Sequence, residues 1–230
     1  MNTPVIALRN LTRIYPLHDA SFTALAIEDL TIQIHEWVSI VGPSGSGKTT
    51  LLHILGLLDR ATTGSYFLQG KDTTQLSATQ QALMRNQTIG FIFQRFHLLP
   101  MLTVAENIAL PLHYGNHGAR AIQRRVYEML EVVGLTAHAN KYPHQLSGGQ
   151  QQRIAIARAL APQPTLILAD EPTGSLDSKT GELLLDFLQE LHKNTPHLTL
   201  VLITHDASVA AKGTRTIHMR DGRITQDFRK

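Results

Sequence analysis

Short apolar runs bounded by polar or turn residues mark the predicted strands of this chain. Three uninterrupted runs are typical of parallel strands buried on both faces. They occupy residues 37–41 (WVSIV), 165–169 (TLILA) and 199–203 (TLVLI). Weaker β-like runs lie at residues 5–8 and 30–35. Near the end of the chain, Asp221-Gly222 favours the tight turn of a hairpin between residues 214–220 and 223–228.

Helical periodicity governs the middle of the chain, from about residue 77 to residue 162. Ser77 and Gln80 fit a capping box, and Gly134 stands where a helix would end. Two apolar stripes recur at helical spacing. They are Ile122, Val126, Met129, Leu130 and Val133, and further on Leu184, Phe187, Leu188 and Leu191. Together with a helix at residues 49–58 that follows the first long strand, the pattern predicts an α/β chain with a helical insertion.

Composition limits the classes of protein that the chain can belong to. Its 230 residues fit one domain with an appended subdomain, and the 43% apolar and 17% charged shares are those of a globular protein. The net charge of +3 is too small to suggest a nucleic-acid partner, and the absence of cysteine excludes disulfides and thiolate metal sites. No apolar run is long enough to span a bilayer, and no signal peptide opens the chain. We therefore expect a soluble, cytoplasmic chain.

A glycine-rich turn separates the predicted strand at residues 37–41 from the helix after it. Its residues fit the phosphate-binding loop pattern G-x-x-x-x-G-K-[ST]. They are Gly42, Pro43, Ser44, Gly45, Ser46, Gly47, Lys48 and Thr49. Glycines let successive backbone N–H groups converge on phosphate oxygens, Lys48 would reach the β- and γ-phosphates, and the Thr49 hydroxyl would bind Mg²⁺. The alternative is an ordinary glycine-rich turn, which the flanking strand and helix argue against.

Two carboxylates follow the predicted strand at residues 165–169. Ligands gather at the carboxyl ends of strands in open α/β sheets. Asp170 is placed there to hold Mg²⁺, directly or through water, and Glu171 to accept a proton from an attacking water. A solvated acidic pair at the end of a strand is the alternative, and the phosphate-binding loop favours the metal interpretation.

A third pattern is Leu146-Ser147-Gly148-Gly149-Gln150. Ser147 can cap the helix that begins here, and the two glycines leave the first N–H groups of that helix bare. One nucleotide has no evident need of two helix N-termini from one chain. The pattern therefore suits a surface that closes on a nucleotide held by another subunit, with a simple capped helix start as the alternative.

These motifs, in this order, resemble those of ATP-binding subunits of ABC transporters from Tyr15 to His205. The resemblance implies a P-loop NTPase fold of ABC type, with a RecA-like core sheet, an N-terminal antiparallel β subdomain and a helical insertion. It implies one ABC ATPase domain over residues 1–230, with the β subdomain and catalytic core at about 1–90 and 163–230 and the helical subdomain at about 95–162.

The resemblance also assigns roles to single residues. Tyr15 matches the aromatic residue that stacks on adenine, Gln94 the Q-loop glutamine, Asp177 the D-loop aspartate and His205 the switch histidine. ATP would be contacted by three groups of residues. They are the phosphate-binding loop at residues 42–49 (the Walker A loop) with Thr50, the signature residues Ser147, Gly148, Gly149 and Gln150, and Asp170. Thr49, Gln94 and Asp170 would hold Mg²⁺. Lys48, Glu171 and His205 would be catalytic.

In this family two copies pack head to tail and bury two ATP molecules. Each ATP lies between the phosphate-binding loop of one copy, called the Walker A loop, and the signature helix of the other copy. Hydrolysis then opens the dimer. The resemblance therefore implies a homodimeric ATPase of a bacterial ABC transporter, peripheral at the cytoplasmic face of the inner membrane, that acts on a membrane permease.

The segment from Gln94 to Pro100 and the stretch EPTGSLDSKTG resemble the lipoprotein-release and macrolide-exporter (LolD-like and MacB-like) branch. That branch usually has asparagine at the position of Ser175. In the family, the neighbourhood of residues 94–100 forms a groove for the permease. Core packing of Phe96, Leu98, Leu99 and Pro100 is the alternative.

Two other functions share these motifs. One is a cell-division regulator of the FtsE type, and the other is a soluble ABC ATPase that acts on nucleic acid or ribosomes, which the small charge surplus does not favour. The histidine pairs His113 with His117 and His138 with His144 suggest solvated loop residues rather than a metal site.

Overall fold

Two β-sheets organise the computed structural model, which describes residues 3–17, 20–115 and 117–230. These residues contain ten strands. The strands are β1 (Ile6–Leu17), β2 (Ala20–Ile32), β3 (Trp37–Val41), β4 (Thr63–Leu68), β5 (Lys71–Asp72), β6 (Ile89–Phe93), β7 (Leu166–Asp170), β8 (Thr199–Ile203), β9 (Arg215–Arg220) and β10 (Arg223–Arg229).

The same residues form seven α-helices and three short 3₁₀ helices. The α-helices are α1 (Lys48–Leu55), α2 (Ala78–Thr88), α3 (Val104–Ala109), α4 (Ala119–Val132), α5 (Gly148–Leu160), α6 (Ser178–Lys193) and α7 (Ala207–Ala210). The 3₁₀ helices are Leu110–Tyr114, Thr136–His138 and Pro143–Gln145. None of the helices described here is both long and apolar enough to cross a membrane.

The larger sheet has the order β10-β9-β3-β8-β7-β6. Strands β9, β3, β8, β7 and β6 run parallel, and β10 pairs antiparallel with β9. The predicted strands at residues 37–41 and 199–203 are confirmed with the predicted bounds. Every residue of β8 is buried, as expected of a parallel strand covered on both faces. The predicted hairpin about Asp221-Gly222 is confirmed as β9 and β10.

Alternate residues of these strands enter two different cores. Ile167 and Leu200 lie in a core shared with α3, α4, α5 and α6, whereas Leu168 and Val201 lie in a core shared with α1 and the smaller sheet. The large sheet is therefore sandwiched between the helical middle of the chain and the antiparallel sheet.

The smaller sheet is antiparallel, with the order β2-β1-β4-β5. Strands β1 and β2 form a hairpin much longer than the runs predicted at residues 5–8 and 30–35. The second run was placed too late, because β2 ends at Ile32 and His35 has a φ of 64°, in the left-handed region. The sequence interpretation also missed β4.

The predicted helix ends are confirmed at α2 and α4, whereas the helix predicted at residues 49–58 is α1 and ends at Leu55. Ser77 caps α2 in a capping box with Gln80. The stripe from Ile122 to Val133 is buried, and Gly134 follows α4 with a φ of 69°. The middle of the chain is mostly helical, as predicted. The region from residue 77 to 162 includes a strand, β6, which forms the edge of the large sheet beside β7.

Candidate functional site

The glycine-rich loop lies between the end of β3 at Val41 and the start of α1 at Lys48. Gly45 and Gly47 have φ values of 79° and 95°, which strongly favour glycine. A Cβ atom on Gly47 would also lie 2.7 Å from the carbonyl oxygen of Ala24. One on Gly42 would overlap the Met219 carbonyl oxygen. Glycine at these positions therefore lets the loop pack against β2 and β9.

The ammonium group of Lys48 lies across this loop. Its Nζ donates to the carbonyl oxygens of Gly42 at 2.7 Å and Pro43 at 2.8 Å. Burial lowers the pKa of Lys48, while the charges of Glu171 and Asp170 oppose that effect. Pro43, Ser44, Gly45 and Thr49 are exposed, and Thr50 is half-buried. The site thus combines a cation, two nearby carboxylates and an exposed loop backbone. This combination suits a polyphosphate with a bound metal ion.

The turn between β9 and β10 supports the loop, a role that the sequence interpretation missed. Gly222 N–H donates to the Ser46 carbonyl oxygen at 3.1 Å, and Ala26 N–H donates to the Gly222 carbonyl oxygen at 2.8 Å. A Cβ atom on Gly222 would lie 2.7 Å from the Ala24 carbonyl oxygen. The Asp-Gly signal predicted the hairpin, but its contact with a loop far away in sequence had no local signal.

Asp170 is the last residue of β7 and lies in register with Phe93 of β6 and Ile203 of β8. Burial raises the pKa of Asp170, and the neighbouring charge of Glu171 raises it further. Glu171 has a φ of 44°, an uncommon conformation for a residue with a side chain. Its N–H donates to the Ile203 carbonyl oxygen at 2.9 Å. The structure thus holds two carboxylates at the carboxyl edge of the sheet, as predicted.

His205 follows β8 and meets Glu171 at the same edge. Nδ1 of His205 lies 2.6 Å from Oε1 of Glu171. The carboxylate side chain is 24% exposed and the imidazole 73% exposed. Two residues that are 34 positions apart in sequence therefore form one hydrogen-bonded pair that faces solvent.

Gln94 leaves the end of β6 and lies beside the segment that follows Glu171. The Ser175 hydroxyl donates to the Gln94 carbonyl oxygen at 2.7 Å. A Cβ atom on Gly174 would lie 2.7 Å from Nε2 of Gln94. Ser175, noted above as a departure from the branch pattern, thus connects the two segments.

Side chains from α3 and α5 hold the segment after Gln94. Arg158 donates to the carbonyl oxygens of Phe96 and His97, and buried Asn107 bonds both backbone groups of Leu99. Leu98 packs against the helical core, whereas Leu99 and Pro100 are exposed. Core packing therefore holds for Leu98 and not for Leu99 or Pro100, and the permease contact of residues 94–100 stays a prediction.

The signature residues lie at the start of α5. Ser147 accepts a hydrogen bond from Gln150 N–H, and Gln150 Oε1 accepts one from Ser147 N–H at 3.0 Å. A Cβ atom on Gly149 would lie 2.5 Å from Cγ2 of Thr180. No hydrogen bond in the described part of the chain joins residues 147–150 to residues 42–49. The capped helix start is therefore real, and it is not bonded to the phosphate loop of its own chain.

Asp177 and Tyr15 complete the predicted set. Asp177 caps α6 by accepting from Thr180 N–H at 3.0 Å, and hydrogen bonding to Thr180 lowers the pKa of Asp177. Tyr15 lies on β1, half-buried, and its hydroxyl donates to Oδ2 of Asp59 at 2.9 Å. Asp59 was not among the predicted site residues.

The oxygen donors at this site fit Mg²⁺, which usually takes one or two carboxylates beside phosphate oxygens. Asp170 supplies a carboxylate, Thr49 a hydroxyl and Gln94 an amide oxygen. In the described residues there is no cluster of three or more His, Cys, Asp or Glu side chains that could hold a metal alone.

A groove of about 680 Å³ lies beside β6, between α2 and the 3₁₀ helix at Leu110–Tyr114. Its lining is mostly apolar, and Leu58, Leu83 and Tyr114 on its rim are 48%, 50% and 70% exposed. None of the residues from Gln94 to Pro100 lines it. Exposed apolar side chains around a concave surface are typical of a protein-binding site.

Comparison with known proteins identifies related chains. The family described as ABC transporter matches residues 26–174. An uncharacterized ABC transporter ATP-binding protein from Thermotoga maritima is 47% identical over 96% of this chain and 93% of its own length. The macrolide export ATP-binding/permease protein MacB of Rhodopseudomonas palustris is also 47% identical over 96% of this chain, which spans 34% of that protein.

Two solved structures are similar throughout. A dimeric bacterial ABC transporter cassette is 43% identical, with a TM-score of 0.88, over 97% of this chain and 98% of that one. A dimeric ATP-binding cassette in a post-hydrolysis state bound to ADP and Pi is 42% identical, with a TM-score of 0.86, over the same shares. The predicted α/β fold of the P-loop ABC type is confirmed.

Proposed function

This chain belongs to the ABC transporter family as an ATP-binding subunit and ATPase, and on that premise we propose how its residues bind and hydrolyse ATP and what they drive. The observation that carries the proposal is the edge of the large sheet, where Lys48, Asp170, Glu171 and His205 meet. A cation, a metal-binding carboxylate and a hydrogen-bonded acid–base pair at one edge suit phosphoryl transfer to water.

The phosphate loop and its lysine bind the nucleotide. Backbone N–H groups of residues 42–49 and the N-terminus of α1 face the phosphates, and the ammonium of Lys48 balances their charge. Thr49, Asp170 and Gln94 would hold Mg²⁺, which when bound would neutralise charge on the phosphate oxygens. Tyr15 stacks on the adenine ring.

Glu171 orients the attacking water and accepts its proton as the water oxygen bonds to the γ-phosphorus and the bond to ADP breaks. His205 fixes the carboxylate through Nδ1, and its other ring nitrogen is available to the γ-phosphate. The left-handed backbone at Glu171 turns this side chain out of the strand direction and toward the edge. Products are ADP and inorganic phosphate.

Two copies of the chain complete the site. Ser147, Gly148, Gly149 and Gln150 of one copy contact the γ-phosphate held by the other, and Asp177 lies at the same interface. The absence of hydrogen bonds between residues 147–150 and the phosphate loop in the described part of the chain supports this arrangement, since the start of α5 is free to bind an anion held by another copy. The similar cassettes described above are dimers.

ATP-driven closure acts on a membrane permease, in an export or lipoprotein-release system. The apolar groove between α2 and the 3₁₀ helix at Leu110–Tyr114 supports docking of such a partner, with the neighbouring segment from Gln94 to Pro100 as its link to the site. The chain would then lie at the cytoplasmic face of the inner membrane.

Co-purification tests the partner. The tagged chain is isolated from native membranes in mild detergent, beside Tyr114→Ser in the groove and Tyr127→Ser, a matched control on the exposed face of α4. We expect a permease with four membrane helices and a large outer domain, lost with Tyr114→Ser only. A short division-type membrane protein would instead indicate the FtsE-type regulator. Recovery without any membrane protein would contradict the transport proposal.

A further inference from the structure

Arg13, Tyr15 and Asp59 form a cluster that no motif predicted. The carboxylate of Asp59 binds both other residues, accepting from the Tyr15 hydroxyl at 2.9 Å through Oδ2 and from an Arg13 nitrogen at 2.9 Å through Oδ1. The Arg13 guanidinium carbon lies 4.4 Å from the centre of the Tyr15 ring. This contact places the two side chains on the same side of β1, across an irregularity in the β1–β2 register between Arg13 and Ile14.

This cluster lies next to the phosphate loop. Arg13 is paired in register with Leu25 of β2, and a Cβ atom on Gly47 would lie 2.9 Å from a Leu25 methyl group. Asp59 follows α1, the helix that the loop opens. Arg13 is therefore one strand away from the loop, and Asp59 connects the Tyr15 ring to the segment after the helix that the loop opens.

These contacts restrain the direction of the Tyr15 ring and define the face that the guanidinium covers. The Tyr15 side chain is held at one end by the backbone of β1 and at the other end by the bond from its hydroxyl to Asp59. The ring therefore has little freedom to rotate. The guanidinium covers one face in a cation–π contact, and it is the sole aromatic or cationic contact of this ring among the described residues. Because Tyr15 is half-buried, part of the residue stays accessible, and the face away from the guanidinium is the one left for a planar ligand.

We propose that Asp59, together with Arg13, is a positioning residue that orients Tyr15 before ATP binds, so that adenine stacks on the face opposite Arg13. The inference rests on the proposed function, in which Tyr15 stacks on adenine. Orienting the ring in advance removes an ordering cost from binding. It acts on adenine alone, so it changes affinity for ATP and leaves the hydrolysis step unchanged.

Binding of ATP and of inorganic tripolyphosphate, which lacks adenine, separates this role from a general effect on the loop. Tyr15→Phe removes the hydroxyl and keeps the ring, and Asp59→Ala removes its acceptor. We expect each to weaken ATP binding about threefold to tenfold, with the double variant little weaker than either one. Tripolyphosphate binding should stay within about twofold of wild type, and KM should rise while kcat does not.

Asp29→Ala is the matched control, because Asp29 pairs with Arg9 in the same hairpin and lies outside the cluster. It should bind ATP normally. ATP binding by Tyr15→Phe equal to wild type would overturn the positioning role, as would equal losses for ATP and tripolyphosphate in Asp59→Ala. Tyr15→Ala distinguishes stacking of Tyr15 on adenine from positioning of Tyr15 by Asp59. Unchanged ATP binding by that variant contradicts stacking itself, whereas a loss seen only with Tyr15→Ala contradicts the role of Asp59 alone.

Discussion

Nδ1 of His205 lies 2.6 Å from Oε1 of Glu171, which connects the second residue after β8 to the first residue after β7. The Glu171 backbone is also bonded to the neighbouring strand, because its N–H donates to the Ile203 carbonyl oxygen. The carboxylate is thus held at both its backbone and its side chain. This pair is the part of the site where geometry bears most directly on catalysis.

Replacing the histidine tests that pair. We expect His205→Ala to lower kcat about tenfold to a hundredfold, because Glu171 loses the group that orients it, with ATP affinity nearly unchanged. His205→Asn places a donor near the position of Nδ1, and His205→Gln places one near that of the other ring nitrogen. If the asparagine variant is the more active of the two, His205 acts through its hydrogen bond to Glu171. If the glutamine variant is the more active, His205 acts through a contact with the γ-phosphate.

Lys48→Ala should abolish measurable ATP binding. The variant removes the single ammonium group that lies across the loop and balances phosphate charge. Isothermal titration with ATP and Mg²⁺ measures the loss, and Lys71→Ala, at an exposed strand position, is the control. Normal ATP binding by Lys48→Ala would overturn the phosphate-loop assignment.

Asn107 stabilises the irregular segment that follows Gln94. It is fully buried and makes four hydrogen bonds to backbone groups of Leu99, Leu102 and Thr103. Asn107→Ala leaves the Leu99 N–H and the Leu102 carbonyl oxygen without this partner, whereas the carbonyl oxygens of Leu99 and Thr103 keep hydrogen bonds from backbone N–H groups. We expect the free energy of unfolding to fall by about 2–4 kcal/mol and Tm by roughly 5–12 °C. Thermal unfolding measures the change beside Asn140→Ala, an exposed position. A fall equal to that of the control would contradict the prediction.

Asp227 should contribute stability that depends on pH. Its hydrogen bond from Arg215, a buried guanidinium that also binds Glu36, lowers the pKa of Asp227. A lowered carboxyl pKa gives stability that is present above the unfolded value near 3.9 and is lost as pH falls through the folded value. Because Asp227 is partly exposed, we expect Asp227→Asn to cost only about 1 kcal/mol at pH 7. Urea unfolding should show the difference narrowing below about pH 4, and a constant difference would be inconsistent with this linkage.

Local sequence signals predicted the elements that local physics determines. Continuous apolar runs gave β3 and β8 their bounds, and the Ser77–Gln80 box and Gly134 marked helix ends correctly. Strand β6 was missed because IGFIF is a short apolar run directly after a helix, and periodicity cannot separate a strand from a helix over five residues. The division into a β subdomain with catalytic core and a helical subdomain stays a prediction.

Contacts between distant segments left no local signal. The support of Ser46 by Gly222 and the bond from Tyr15 to Asp59 join residues that are 176 and 44 positions apart. The motifs could place Glu171 and His205 at strand ends, yet their hydrogen bond and the left-handed φ of Glu171 depend on the register of β7 and β8. The candidate site residues were predictable, but the residues that position them were not.

Hydrolysis at a site shared by two copies is tested most directly with Glu171→Gln in the presence of ATP and Mg²⁺. We expect phosphate release to fall by a factor of about 10²–10⁴, since the amide cannot accept the proton of water. ATP should still bind, and light scattering should show a stable dimer with ATP and not with ADP. Glu190→Gln, at an exposed position of α6, should behave as wild type. Rapid hydrolysis by Glu171→Gln, or a variant that stays monomeric at saturating ATP, would contradict the shared site.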